Sequence, residues 1–299
     1  MNQQQSICSQ AREKTRAKRA ATQVFSFLTL RAAAFVNCAA LVIACVFLFV
    51  NGIGALNIDF VLDSPREMMT SGGVFPCLVG TFLLAAGAIA IALPFGVACA
   101  VWLNEYGKQG PVVDIVRLSV ANLAGVPSIV FGLFGLAFFV TALGFNVSLL
   151  SGILTLAVLT LPVIINTTEE ALKQVPRSWR DASLALGATK SQTIGRIVLP
   201  SALPGILTGA ILAVARAAGE TSAVMFTAAV FYTPKLPESV WSSVMALPYH
   251  MYVLATAGTE IEKTRPMQYG TGLLLVVLVF AMNLVAILIR DKMQKKRLA

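Results

Sequence analysis

Charged residues are scarce in this sequence. Asp, Glu, Lys and Arg make up 12% of the 299 residues, about half their share in an ordinary globular domain. Hydrophobic residues make up 57%, and the mean hydropathy is +0.78. A soluble domain with so few charges could not cover its surface with polar atoms. The composition therefore argues against a soluble globular protein and favours a membrane protein.

Histidine and paired cysteines are also lacking. The single histidine, His250, argues against a histidine-based triad or a metal cluster, and we expect it to have a structural or surface role. The five cysteines form no Cys-x-x-Cys pair and lie mostly in apolar runs, so we predict small hydrophobic side chains without a disulfide framework. We therefore expect no catalytic residue and no metal site in this chain.

Long apolar runs are the dominant feature that is present. A helix needs about 20 apolar residues to cross a bilayer. The sequence offers six spans of roughly that length or more, at 32–50, 75–103, 118–142, 148–166, 202–230 and 270–289. Pro94 lies inside the second, and Gly125-Val126-Pro127-Ser128 interrupts the third. The expected fold is an all-α membrane protein of about six transmembrane helices.

Basic residues are concentrated on one predicted side of the membrane. Of the 23 Lys and Arg residues, 18 fall in the segments 1–31, 104–117, 167–201 and 290–299. This asymmetry places both termini in the cytoplasm and explains the net charge of +9 without a nucleic-acid partner. We predict basic cytoplasmic tails at 1–31 and 290–299 around a membrane domain at 32–289. The full-length apolar run after the first tail predicts an uncleaved first span in a multi-pass protein.

The cytoplasmic segment 167–201 has the pattern of a short amphipathic helix that stops and restarts. The apolar residues Trp179, Ala182 and Leu186 recur at helical spacing. We expect the charged residues Arg177, Arg180 and Asp181 to lie in solvent. Gly187 fits a helix C-terminus, where a left-handed residue is needed. Such a unit could dock into a groove on a soluble partner.

The same segment resembles the coupling loop of ABC-importer permeases. That signature is Glu-Ala-Ala, three residues, Gly, nine residues, Ile, one residue, Leu-Pro. Every spacing is met by Asp181-Ala182-Ser183, Gly187, Ile197 and Leu199-Pro200. Asp replaces Glu and Ser replaces the second Ala, both conservatively. The alternative interpretation is a basic amphipathic loop that only stabilises topology.

Flanking residues resemble the phosphate-importer permeases in particular. The similar stretches are Thr167-Thr168-Glu169-Glu170-Ala171-Leu172, Gly125-Val126-Pro127-Ser128-Ile129-Val130-Phe131-Gly132 and Ala217-Ala218-Gly219-Glu220-Thr221. Met225-Phe226-Thr227-Ala228 looks more PstA-like than PstC-like. The resemblance implies a bacterial plasma (inner) membrane location. It also implies a homologous PstC-like permease, a cytoplasmic PstB-like ATPase dimer and an extracytoplasmic PstS-like phosphate-binding protein.

Two charges lie inside the fifth predicted span. Arg216 is near mid-membrane, and Glu220, four residues later, shares its helix face, so the two could line a substrate path or merely neutralise each other. The break at Pro127 and Ser128 could offer unpaired N–H groups to an anion, or be a simple packing kink. The candidate substrate-path residues are these four.

The leading interpretation is a permease subunit that forms the path for inorganic phosphate with its partner. An alternative is an ABC permease for sulfate, molybdate or phosphonate, since an arginine suits any oxyanion. A stand-alone secondary transporter or channel is the other alternative, disfavoured by the coupling loop. Thr189-Lys190-Ser191 lacks the glycine that a phosphate-binding loop needs before its lysine. We therefore expect no cofactor in this chain, with ATP bound by a separate subunit.

Overall fold

The computed structural model describes residues 2–69, 71–108, 110–257 and 261–298. The chain divides into two compact units, residues 1–51 and residues 52–299. The described part of the first unit is one helix, α1 (Asn2–Gly52). The predicted basic tail at 1–31 is therefore helical in its backbone, although most of its side chains lie outside the described residues. The apolar stretch begins at Ser26, six residues before the predicted start of the first span.

The second unit is built almost entirely from helices. They are α2 (Ile58–Leu62), α3 (Phe75–Val101), α4 (Pro111–Ala124), α5 (Ser128–Gly135), α6 (Leu149–Lys173), α7 (Arg177–Ala185), α8 (Lys190–Thr193), α9 (Leu199–Ala218), α10 (Ser222–Thr227), α11 (Leu247–Thr256) and α12 (Ile261–Leu298). π-Helical turns extend α3 at Trp102–Tyr106, extend α5 at Leu136–Ala142 and precede α9 at Ile194–Val198. Single 3₁₀ turns lie at Ile53–Ala55 and Glu67–Met69. Two short antiparallel strands, β1 (Pro65–Arg66) and β2 (Ser71–Gly72), complete the unit.

Five described helical segments are long and apolar enough to cross a membrane: Ser26–Ala55, Phe75–Tyr106, Leu149–Lys173, Lys190–Ala218 and Thr264–Met293. A sixth is possible if Pro111–Ala124 and Ser128–Ala142, bent by 104° at their junction, form one broken span. These segments overlap all six predicted spans, and the all-α membrane fold is confirmed. The last helix continues to Leu298, so the predicted tail at 290–299 is an extension of the last span over the residues described.

Three long helices form the centre of the second unit. α3 and α6 run in the same direction, because Gly87 meets Ile153 and Gly96 meets Ile164. α9 runs antiparallel to α6. We call the end of this bundle where α6 finishes at Lys173 the inner end, following the charge distribution, and the opposite end the outer end.

Small residues allow α9 to lie close to α6. A side chain added at Gly205 would meet Ala171, and one added at Gly209 would collide with Thr167. Ala213 and Ala217, one and two turns further on, are buried. These small residues, four apart along α9, thus form a helix-packing surface, as in other membrane bundles where small residues let backbones approach.

The predicted fifth span at 202–230 is wrong in one respect, because it is not continuous. α9 ends at Ala218 and α10 begins only at Ser222. Gly219, which has a poor helix propensity, occupies the C-cap. The break at 125–127 in the third span is confirmed, with α5 starting at Ser128 directly after Pro127.

The described part of the segment 231–269 packs over the outer end of the bundle. The Tyr232 hydroxyl donates to the carbonyl of Pro65 at 3.0 Å, and the Thr81 hydroxyl accepts from the backbone N–H of Leu247 at 2.8 Å. This segment contains the short helix α11. His250 on α11 is 1% exposed. Of the two roles expected for it, this burial agrees with a structural role and contradicts a surface role.

The cysteines agree with the prediction as far as they are described. Cys38, Cys45, Cys77 and Cys99 are all free. Cys77 is buried at the start of α3, where it packs as a small apolar side chain, while Cys38 and Cys45 are exposed on the apolar part of α1. The side chain of Cys8 lies outside the described residues.

Candidate functional site

The two helix breaks come together in the middle of the bundle. Gly132 on α5 packs against Ser222 and Ala223 on α10, and one turn later Gly135 packs against Thr227. The two short helices therefore run side by side in the same direction, and their first residues lie at the same end. Phe131 shares a cluster with Leu156 and Leu159, near the midpoint of α6. Two chain segments that are about 90 residues apart in the sequence thus begin new helices within about one helical turn of each other in depth.

Arg216 lies in the last turn of α9, beside this junction. α9 residues pair with α6 in descending order, from Gly205 with Ala171 to Gly209 with Thr167. Continuing this register places Arg216 level with about residue 160, near the middle of α6. Its side chain is half-buried. The packing therefore places the arginine at mid-depth of the bundle.

The expected pairing of Arg216 with Glu220 on one helix face is wrong. Because α9 stops at Ala218, Glu220 lies in the break and follows a different backbone path. Its carboxylate accepts the backbone N–H of Ala223 at 3.5 Å, at the start of α10. Within the described part of the chain, neither charge forms an ion pair with the other or with any other residue. The arginine is consequently available to a ligand or to a group outside this chain.

Pro127 and Ser128 stand at the corresponding break before α5. Pro127 is exposed and adopts an extended conformation (φ −58°, ψ 141°), while Ser128, the first helical residue, is half-buried. The backbone N–H groups in the first turn of a helix have no partner within it. The four candidate substrate-path residues are therefore near one level of the bundle, two at each break.

The loop at 174–201 forms a helix–turn–helix at the inner end. Gly187 adopts φ +84°, and the N–H groups of Gly187 and Ala188 donate to the carbonyls of Leu184 and Ser183 at 3.0 and 3.2 Å. This is the double hydrogen bond that closes a helix with a left-handed residue, and it confirms the expected helix end at Gly187. The buried hydroxyls of Ser183 and Thr193 then bond at 2.9 Å, which holds α7 against α8.

The other signature residues occupy defined places in this loop. Asp181 and Ala182 are exposed on α7, Ile197 lies in the π-helical turn before α9, and Leu199 and Pro200 begin α9. α8 starts with a reciprocal cap between Thr189 and Gln192. Thr189-Lys190-Ser191 open this four-residue helix, whereas the lysine of a phosphate-binding loop follows a glycine-rich loop between a strand and a helix.

Three large apolar side chains in and directly after α7 are exposed. Trp179 is 51% exposed, Leu184 47% and Leu186, directly after the helix, 89%. Exposed large apolar side chains on a short amphipathic helix are typical of a binding surface. The loop can therefore present an apolar surface to another protein.

Sequence reasoning misplaced Arg180 and missed its partner. Arg180 was expected in solvent, but its guanidinium donates to Glu105 at 2.7 Å and to the carbonyls of Val175 and Leu172 at 2.7 and 3.0 Å. Glu105 is 75 residues earlier in the chain, in the π-helical turn that ends α3. The only sequence signal was an acidic residue at the inner end of an apolar span.

A second charge group that the sequence did not reveal ties α4 to α6. The Glu169 side chain, 9% exposed, lies 2.9 Å from Arg117 on α4 and 3.3 Å from Lys173 on its own helix. No cluster of three or more metal-ligating side chains occurs among the described residues. Two ion pairs at the inner end, Arg180 with Glu105 and Arg117 with Glu169, therefore link different helical segments.

Comparison with known proteins gives a consistent result. The profile of the family described as binding-protein-dependent transport system inner membrane component matches residues 92–298. The chain is 33% identical to a probable ABC transporter permease, YqgI, of Bacillus subtilis, over 83% of this chain and 90% of that protein. It is 39% identical to the phosphate transport system permease PstA 1 of Mycobacterium tuberculosis, over 76% of this chain and 73% of the relative. PstA of Xylella fastidiosa is 31% identical over 86% of this chain and 94% of its own length.

Solved structures share the fold. An inward-facing MetNI methionine ABC transporter chain aligns with a TM-score of 0.55 at 24% identity, over 74% of this chain and 94% of its own. A bacterial ABC transporter that imports the acidic polysaccharide alginate aligns with a TM-score of 0.57 at 13% identity, over 76% of this chain and 80% of its own. These identities are too low to carry a substrate from one protein to the other.

Proposed function

The chain belongs to the family of binding-protein-dependent transport system inner membrane components, the permeases of ABC importers, and from that premise we propose that its substrate is inorganic phosphate. Together with a homologous permease, it forms the path through the membrane. The observation that carries this proposal is the unpaired Arg216 at mid-depth, beside two helix breaks. Relatives that are 31–40% identical and named phosphate transport permeases support the choice of substrate.

The chemistry of the site suits a protonated oxyanion. Near neutral pH, phosphate carries one or two protons, so it presents both acceptor oxygens and an O–H group. Arg216 would bind the oxygens through its planar set of donors. Glu220 would accept the phosphate O–H and repel sulfate, which carries no proton. The first N–H groups of α5, at Ser128, would add a weak attraction for the anion.

The proposed partners are those that the resemblance to phosphate-importer permeases implies. The exposed apolar face of α7 is the proposed contact with one subunit of a PstB-like ATPase dimer, which binds the ATP. A PstC-like permease is the proposed second half of the path, and a PstS-like protein delivers phosphate from outside. We propose that the protein lies in the bacterial plasma membrane with both termini in the cytoplasm. Its permease domain is then residues 32–289, between an N-terminal tail at 1–31 and a C-terminal tail at 290–299.

Other oxyanions remain the second candidate class, because the arginine alone would bind any of them. Glu220 is the residue that favours phosphate over sulfate. A stand-alone transporter is disfavoured by the complete coupling-loop geometry around Gly187.

Uptake by proteoliposomes that contain the full complex tests this proposal. Arg216→Gln should lower phosphate uptake by about tenfold or more, since a hydrogen bond to a charged group contributes about 1.5–3 kcal/mol. Arg290→Gln is the matched control, because Arg290 lies at the inner end and only bonds Thr208 and Asp291. Glu220→Gln should make sulfate a better competitor. Normal phosphate uptake by Arg216→Gln, or wild-type uptake of sulfate in preference to phosphate, would contradict the proposal.

A further inference from the structure

The inner end of α3 makes two contacts with the coupling loop. The π-helical turn Trp102–Tyr106 ends the helix and is anchored by Leu103, which is 2% exposed. Glu105 in this turn reaches α7, and the neighbouring Tyr106 reaches α8. The two residues thus contact both arms of the helix–turn–helix, on either side of Gly187.

The contact with α7 is a shielded ion pair. The side chains of Arg180 and Glu105 are 17% and 8% exposed. Arg180 places Nη2 at 2.7 Å from one carboxylate oxygen and Nε at 3.2 and 3.3 Å from the two oxygens. Removing one partner of such a pair leaves a charge without compensation, which is far more costly than the loss of an exposed pair.

The contact with α8 is a cation over an aromatic ring. The Lys190 ammonium lies 5.0 Å from the centre of the Tyr106 ring. This distance is within the range of a cation–π interaction. Because Lys190 is the first residue of α8, this contact adds a second attachment point on the far side of the turn.

α3 also reaches the outer end of the molecule. Gly80, in its second turn, lies against the carbonyl of Met245, and the neighbouring Thr81 bonds the backbone N–H of Leu247. α3 is thus in direct contact with the coupling loop at one end and with the outer segment 231–269 at the other.

We infer that Glu105 and Arg180 are positioning residues that fasten the coupling loop to α3, so that a displacement of the loop by the ATPase moves α3 with it. This inference rests on the proposed function of the loop as the ATPase contact. The Glu105–Arg180 ion pair provides the main attachment, since it is shielded from water. The contact of Lys190 with Tyr106 is a second attachment point, which keeps the loop from rotating about the ion pair. Movement at the inner end then reaches the outer segment through the length of α3.

The first test measures coupling in the reconstituted full complex, with binding protein and phosphate outside and ATP inside. Glu105→Gln should leave the amount of co-purified ATPase unchanged but lower the ratio of phosphate imported to ATP hydrolysed by about fivefold or more, the lower range of typical coupling between sites. Glu105→Asp, which keeps the charge, should restore part of the ratio. Glu105→Gln combined with Arg180→Gln should be no worse than the poorer single variant.

Glu170→Gln is the matched control. It removes a carboxylate from an ion pair at the same end of the molecule, but that pair with Lys173 is exposed. In Glu170→Gln, the ratio of phosphate imported to ATP hydrolysed should equal that of the wild type. A normal ratio in Glu105→Gln, or a loss of co-purified ATPase in that variant, would show that the pair does not transmit movement.

A second readout does not depend on the substrate. Spin labels at Lys108→Cys and Ser191→Cys, both exposed positions, report the distance between the end of α3 and α8. In the wild-type background this distance should stay constant when ATP binds, and with Glu105→Gln it should become ATP-dependent. A distance that is constant in both backgrounds, or that already changes in the wild type, would overturn the inference. Absence of phosphate uptake by the wild type would instead contradict only the proposed substrate.

Discussion

At the residue scale, His250 shows how burial changes the chemistry of a side chain. It lies on α11, outside the candidate membrane spans, and neither ring nitrogen has a hydrogen-bond partner among the described residues. Desolvation by burial lowers the pKa of His250 from 6.5 to about 4. The ring is therefore neutral in the folded protein at pH 5, where the unfolded chain would carry a protonated imidazole.

This shift predicts a loss of stability in acid. Between pH 6.5 and about 4 the unfolded state binds more protons than the folded state, so stability is full above pH 6.5 and falls as the pH decreases through this window. One pKa unit corresponds to about 1.4 kcal/mol. In detergent, the melting temperature should fall between pH 7 and pH 5, and His250→Phe should reduce that fall. An equal fall in both proteins would assign the acid sensitivity to other groups.

Also at the residue scale, Arg216 and Glu220 show the limit of a spacing argument. Four residues place two side chains on one face only if the helix is continuous between them. Gly219 ends α9 before Glu220 is reached, so the two charges follow separate segments. The sequence therefore predicted a shared helix face for the two charges that the folded chain does not have.

At the scale of the element, the turn after α7 depends on one left-handed residue. Gly187 has φ +84°, and a side chain there would meet no atom within 4 Å, so any substitution acts through the backbone alone. Gly187→Val should therefore block transport while the permease still inserts, because a β-branched residue strongly disfavours this conformation. Uptake and co-purified ATPase measure the effect.

Gly187→Asn provides the matched control. Asparagine tolerates the left-handed region better than other residues that have a side chain. Gly187→Asn should thus retain more uptake than Gly187→Val. Equal uptake in both variants would mean that the conformation of Gly187 does not set the docking geometry.

At the scale of the whole molecule, the broken spans decide how the chain crosses the membrane. The 104° bend between α4 and α5 allows two readings, one broken span or a segment that turns back. α4 packs near the inner end, where Arg117 contacts Glu169. α5 is followed by the loop at the outer end that finishes at Ser148. These positions favour one broken span, with α4 as its inner half and α5 as its outer half.

Cysteine labelling tests this topology. In a background without native cysteines, Asn57→Cys and Ser239→Cys should react with an impermeant maleimide from outside, and Lys108→Cys only after the inner side is opened. All three positions are exposed, so the side of the membrane decides their reactivity. Outside labelling of Lys108→Cys would contradict the six-span arrangement and the proposed cytoplasmic side of the coupling loop.

The sequence by itself determined the features that depend on local composition and spacing. Apolar runs longer than a bilayer predicted the spans, because uncharged helices of that length are stable in lipid. The spacing from Asp181 to Pro200 carries the resemblance to a coupling loop, and Gly187 predicted the turn, because a left-handed position favours glycine wherever it occurs. These predictions needed no knowledge of which helices are neighbours.

Only the tertiary structure decided which distant residues meet. Arg180 is shielded because Glu105 arrives from α3, and the two helix breaks share one level because α5 packs against α10. Such contacts depend on how helices pack, and the pattern of apolar residues within each span does not fix its neighbours when lipid and protein are equally apolar. The pairs and junctions that carry the proposed mechanism are consequently properties of the folded chain.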